Sequence, residues 1–220
     1  MAEIIADSYS EIHNTYFAKI SGSVNPAYYT AGGQAFTGNG GTLKKCKFYL
    51  SKAGLPTGSC YAKVYLETHE EDFGVDSLPT GEPIEISDAV DVETIEATNA
   101  LIIFNFSQTN KITDGVKYVI HFVYEGGDNT KYIKLGGDIV DILHNGNASI
   151  TKSGVCSPDE GTDFIFYVYT EEPAPPAGGE SLPADTQKPT GYNCFISQFV
   201  KNMLAGFIPL KNPDGSEKCW

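Results

Sequence analysis

Short stretches of this chain alternate apolar and polar residues with a period of two, the signature of half-buried β-strands. Leu43–Leu50 puts Cys46, Phe48 and Leu50 on one side and Lys45, Lys47 and Tyr49 on the other. Tyr61–Leu66 repeats the pattern, with Ala62, Val64 and Leu66 inward. The intervening GLPTGS carries the Pro and Gly of a turn, so the two runs are expected to pair as a hairpin. Leu101–Phe106 is apolar on both faces, which predicts a central strand. Tyr118–Tyr124 (after the turn signal at 113–115), Tyr132–Leu135, Ala148–Thr151 and Phe164–Tyr169 complete the clear set. Weaker runs lie at Tyr16–Ile20, Gln34–Thr37 and Pro83–Ser87. No helix is evident before residue 190. The pattern predicts an all-β fold over residues 1–170: a two-sheet antiparallel sandwich of the jelly-roll kind.

The character changes beyond Thr170. Residues 171–190, EEPAPPAGGESLPADTQKPT, read as a Pro-rich linker that extends and cannot join a central strand. Residues 191–220 begin with a segment in which Phe195, Ile196, Phe199, Val200, Met203, Leu204 and Phe207 recur at helical spacing before Gly206 and Pro209 end it. This amphipathic helix must bury its stripe, so it is expected to dock on a neighbour, on its own sandwich or on an assembly.

Composition supports the β reading: 13 Tyr, 12 Phe and 23 Gly stand against two Met and one Trp, and aromatic residues suit a pleated, half-buried surface. A formal charge of −13 repels phosphate backbones and anionic lipid, so no nucleic acid is expected as a partner. No apolar run is long enough for a membrane span. The N-terminus lacks the basic and apolar regions of a secretory signal, which predicts synthesis and initial residence in a cytoplasm. Five cysteines without CxxC spacing argue against a disulfide framework or a zinc knuckle. In the expected hairpin Cys46 and Cys60 would lie about 13 Å apart at ~3.3 Å per residue, too far to bridge. Buried free thiols are expected.

No GxSxG, HExxH, P-loop or GxGxxG pattern is present, and nothing singles out two of the 28 acidic residues as a glycosidase pair. The four His residues lack ligand spacing, and His121, between Ile120 and Phe122, reads as a hydrogen-bonded structural residue. No cofactor is expected; calcium is the one candidate, at Asp88 and Asp91 or in the loop bearing Glu67, Glu70, Glu71, Asp72 and Asp76, although solvated surface acids explain these better. The sharper candidate is an outward face of Tyr49, Tyr61 and Tyr65 with Lys45, Lys47 and Lys63. Such rings and cations stack on sugars or anchor a protein contact, or simply stabilise a sheet by pairing Lys47 with Tyr65 and Tyr49 with Lys63.

The pieces AFTGNGGTL (35–43), KFYL (47–50), PTG (56–58) and YAKVY (61–65), with PTGEPIEISDAVDV (79–92) and DGVKYVI (114–120), resemble a family of jelly-roll β-sandwich domains. These domains occur in tailed-bacteriophage structural proteins and in bacterial surface proteins. The likeness runs from about Asp7 to Tyr169 and rests on turn glycines and core strands. It implies a role in virion appendages, decoration or adhesion, without a transferable catalytic motif. The expectation is a non-enzymatic virion structural protein, a capsid decoration, fibre or tail-associated module, assembled in the host cytoplasm with other virion proteins and self-associating. The alternative is an extracellular carbohydrate-binding or adhesion module for a host surface glycan. Assembly in a cytoplasm with release by lysis reconciles an extracellular architecture with the missing signal; an unrecognised export route, or a signal already removed, would do so too.

Overall fold

A computed structural model of the protein describes residues 2–23, 28–67, 73–140, 144–159 and 161–172. The expected linker beyond Glu172 and the expected docking helix, Phe195 to Phe207, lie outside the described residues. By internal packing the chain divides into Met1–Pro175 and Pro176–Trp220.

Fourteen strands lie among the described residues: β1 (Glu3–Tyr9), β2 (Tyr16–Ile20), β3 (Ala31–Thr37), β4 (Thr42–Ala53), β5 (Ser59–Glu67), β6 (Pro79–Ile86), β7 (Val90–Asp91), β8 (Ala100–Asn105), β9 (Lys117–Val123), β10 (Tyr132–Asp138), β11 (Ala148–Lys152), β12 (Val155–Asp159), β13 (Asp163–Phe164) and β14 (Phe166–Glu171). They form two seven-stranded sheets. The first runs β1-β14-β4-β10-β13, with β8 beside β4 and β2 beside β10; the second runs β12-β11-β3-β9-β5-β6, with β7 beside β5. Every named strand pair is antiparallel. Helical structure among the described residues is limited to 3-10 turns at Glu11–His13 and Val92–Thr94.

The sheets face each other as a sandwich, and the alternation predicted for each strand supplies its inner face. Cys46, Phe48 and Leu50 of β4, Cys60, Ala62 and Val64 of β5, and Ile120 and Phe122 of β9 are all fully buried. Phe48 and Phe104 in the first sheet and Phe122 in the second meet edge-on, with ring centroids 5.9–6.0 Å apart. Edge-to-face packing of this kind adds about 0.5–1.5 kcal/mol per pair beyond area burial.

Three expectations are corrected. First, β4 and β5 do not pair. β4 lies between β14 or β10 on one side and β8 on the other, whereas β5 lies between β9 and β6. The GLPTG connection is therefore a corner between the sheets. Gly54 permits it: its φ is +68° and an added Cβ would stand 2.4 Å from the Thr130 carbonyl oxygen. Second, β8 is an edge strand, paired among the described residues with β4 alone. Third, Leu66 is 43% exposed, next to a register shift between β5 and β6. Cys46 and Cys60 are free, buried thiols as expected, but they belong to opposite sheets. Burial pushes the Cys60 thiol up to about 12 and Cys46 well above its usual range, so neither is a nucleophile.

One polar side chain crosses the core. Gln34 on β3 is fully buried; its amide nitrogen donates to Asp163 Oδ1 at 2.7 Å and to the Gly146 carbonyl at 2.5 Å, while its oxygen accepts from the Phe164 N–H at 2.9 Å. Asp163 also accepts the His144 N–H at 2.9 Å. The His144 imidazole reaches Asp7 on β1 at 3.1 Å. Burial pulls the His144 pKa down, but the hydrogen bond and charge of Asp7, aided by Gly146 and Asp163, raise it on balance above the ordinary value.

Two outcomes follow from this network. Gln34→Leu takes one donor from the buried Asp163 carboxylate, which keeps the His144 N–H, and strands the Phe164 N–H; it should cost about 1–3 kcal/mol in urea unfolding. Asp7→Asn removes the opposing carboxylate, so the His144 titration followed by NMR should move down from its raised position.

Candidate functional site

The outer face of the second sheet is hollowed, and sequence explains why. Its outward positions on β3 are Ala31, Gly33 and Ala35, none carrying bulk, while Tyr61, Lys63 and Tyr65 on β5 stand opposite Val123, His121 and Val119 on β9. Phe73–Leu78 closes one end. Ser77 and Asn147 exchange hydrogen bonds there at 2.9 and 3.2 Å, and Lys117 lies over the Phe73 ring at 4.2 Å. The remainder stays open as two adjoining hollows of ≈310 and ≈230 Å³ that share Lys63, Val123 and Glu125. The first extends past Tyr61 and Ile86 to Thr57, whose carbonyl accepts the Tyr124 hydroxyl at 2.9 Å. The second is flanked by Tyr65, Thr151 and Cys156.

His121 forms the floor. It is 2% exposed, and its Nε2 lies 2.7 Å from Ser149 Oγ on β11. β9 and β11 are separated by β3, and register places Gly33 between His121 and Ser149. A Cβ at Gly33 would meet the Ile120 carbonyl oxygen at 1.8 Å, so only glycine fits beneath this bridge. Tyr65 closes over the imidazole edge-on at 6.0 Å. Burial lowers the His121 pKa to about 4, so the ring is neutral at physiological pH, as expected for a structural histidine. Ser149 is fully buried. The pair has the separation of a nucleophile and its base, but the hydroxyl is sealed from any substrate. Burial also raises the phenol of Tyr65, helped by Glu82, Cys156 and Glu125. The Cys156 thiol is raised by burial against bonds from Thr151 and Ser149.

Three of the expected face residues, Tyr61, Lys63 and Tyr65, thus share one trough. Tyr61 and Tyr65 stand about 13 Å apart along the strand, with Lys63 between them; among the described residues no carboxylate lies within ion-pair distance of Lys63. Tyr49 and Lys47 are not part of it. They belong to β4, on the outer face of the opposite sheet, so the expected pairing of Lys47 with Tyr65 and of Tyr49 with Lys63 does not occur. Lys47 stands between Ile103 and Tyr167 instead. Lys45 and Lys47 lie over the Tyr169 ring at 4.9 and 5.0 Å, and Lys45 also pairs with Glu3 at 2.8 Å. The tyrosines 167 and 169 were legible as outward positions of the Phe164–Tyr169 alternation. Val123 and Glu125 carried no signal, because their place in the trough depends on which strand lies beside β5.

For calcium, Asp91 is occupied in capping the Val92–Thr94 turn, accepting the Glu93 N–H at 2.9 Å. Glu70, Glu71 and Asp72 lie outside the described residues. No group of three or more His, Cys, Asp or Glu among the described residues is placed to hold a metal ion. No described helix is long and apolar enough to cross a membrane. All 15 basic residues are lysine, so the chain lacks the planar fork that reads phosphate in two-point contacts.

Comparison with protein-family models, with curated proteins and with solved structures returned no match for this chain.

The floor gives a pH prediction. His121 is depressed from 6.5 to about 4 in the folded state, so its contribution to stability is intact above pH ~6.5 and is lost as pH falls toward ~4, by up to roughly 3 kcal/mol. His121→Gln keeps a partner for Ser149 without titrating. Its unfolding free energy should be flatter than wild type across that window in pH-dependent denaturant melts.

Proposed function

We propose that this chain is a non-enzymatic virion structural protein, a decoration, fibre or tail-associated module with a jelly-roll-like sandwich. In this reading it assembles in the host cytoplasm, and residues 191–208 attach it to other virion proteins or to copies of itself. The observation that carries the reading is the layout of the sandwich surfaces. The interior network of Gln34, Asp163, His144 and Asp7 is committed to structural hydrogen bonds, while tyrosine and lysine side chains face outward on both sheets. That layout suits holding a partner better than turning over a substrate. The motif resemblance between residues 35 and 69 supports the virion setting.

A carbohydrate-binding or adhesion role at a cell surface is the second reading, and the trough favours it. Tyr61 and Tyr65 offer ring faces for sugar C–H surfaces, and Lys63 between them offers donors for hydroxyl or carboxylate oxygens. The occupant fitted best is a saccharide long enough to span both rings.

The two readings separate experimentally. Mass spectrometry of purified particles should find the chain in stoichiometric amount, and Phe199→Asp with Leu204→Asp should abolish incorporation. Glycan-array binding by the full chain, lost in Tyr61→Ala and Tyr65→Ala with the chain absent from particles, would favour the second. Robust hydrolysis of glycans or peptides, abolished by one carboxylate substitution, would overturn both.

A further inference from the structure

We infer that the free edge of β8 is a pairing site for a second copy of this chain. The inference rests on the sandwich alone and holds in or out of a virion. β8 carries the sequence ALIIFN, without charge or proline. Its backbone phase is fixed by two bonds at its end: the Phe106 N–H donates to the Lys44 carbonyl, and the Asn105 carbonyl accepts the Asp88 N–H at 2.8 Å. Even-numbered residues therefore bond to β4, and the N–H and C=O groups of Leu101 and Ile103 point outward from the sheet edge. No described residue bonds them. Ile103 is 46% exposed on the outer face, and Leu101, on the same face by strand alternation, is partly buried.

An open, apolar edge is a template for strand addition, and folded proteins normally blunt such edges with charges, prolines, bulges or covering segments. Four other edge strands here are blunted. β1 carries Glu3, Asp7 and a bulge between Ile5 and Asp7. β2 is covered by Tyr29, whose N–H donates to Lys19 and whose carbonyl accepts from Ser21. β6 holds Pro79, Glu82, Pro83 and Glu85, and β12 holds Pro158 and Asp159. β8 has none of these devices along Leu101–Ile103.

Self-complementarity identifies the occupant. A two-fold axis at Ile102 sets Leu101 opposite Ile103 of the other copy, so each outward N–H and C=O meets its counterpart. The paired side chains are aliphatic, a favourable cross-strand pair. Residues 98–110 contain no charged side chain, so two molecules of net charge −13 can meet here without opposing like charges.

The test uses the full chain in sedimentation velocity at about 100 μM, in the range where unprotected edges associate. Wild type should sediment as a dimer, with amide exchange in residues 100–105 slowing as concentration rises. Ile103→Pro deletes an outward N–H that no described residue uses, and Ile103→Lys places like charges across the axis. Both should give monomers with unchanged circular dichroism. Should the proline variant misfold, the lysine variant decides alone. A monomeric wild type overturns the inference, as does a dimer that persists in the folded variants. A persistent dimer would instead move self-association to residues 191–208 or another face. Neither result bears on the particle assay, so the virion reading fails or stands separately.

Discussion

Gln34 is the constraint on which the sandwich geometry turns. Apolar faces bring two sheets together without specifying how one is placed over the other, because dispersion and water exclusion have little direction. A carboxamide held between the sheets is directional. Its donors are committed to Asp163 and Gly146 and its acceptor to the Phe164 N–H, so sliding one sheet would strand polar groups in a medium that cannot solvate them. Asp163 extends the tie to His144, and His144 extends it to Asp7. One buried side chain thereby fixes β3 against β13 and connects to the first strand of the chain.

With sheet placement fixed inside, the outer faces are free to differ. On the first sheet, Lys45 and Lys47 lie over Tyr169 in a continuous layer of rings and cations. On the second, three small residues of β3 lower the surface, and His121 bridges the dip to Ser149. The same alternation that fills the core thus produces a filled face and a hollow one. The difference lies in one strand, where Ala31, Gly33 and Ala35 occupy positions that tyrosine and lysine occupy on β4 and β5. His121 couples that hollow to pH, since acid must charge a ring that burial holds neutral.

Strand positions were legible because each strand records its own burial. Tyr16–Ile20 matched its strand, and β4, β5 and β9 were found to within a few residues. β1 and β12 escaped notice because EIIADSY and VCSPD mix charge, proline and a bulge into the pattern. What alternation cannot record is the neighbour. Leu43–Leu50 and Tyr61–Leu66 both face the same core, and that is equally true of a hairpin and of strands in opposite sheets; the corner at Gly54 decided between them through the Thr130 backbone. The expected Tyr–Lys face was split for this reason. The apolar run at Leu101–Phe106 predicted a central strand on the ground that both faces are apolar. Its inner face packs through Ile102 and Phe104, and its outer face has no covering layer among the described residues.

Edge and trough are compatible by symmetry. A pair formed through β8 keeps Leu101 and Ile103 of both copies on one face of a continuous first sheet, so the two-fold axis must stand normal to that sheet. The second sheet of each copy then lies on the same side, and both troughs open in the same general direction. Under the proposed binding role, two weak sites held this way engage a repeated surface with an effective concentration set by their fixed separation rather than by bulk solution. Pairing through an outer face would instead bury one of the two Tyr–Lys surfaces. Edge pairing is thus the association mode that leaves the outer faces of each sandwich uncovered by the other copy.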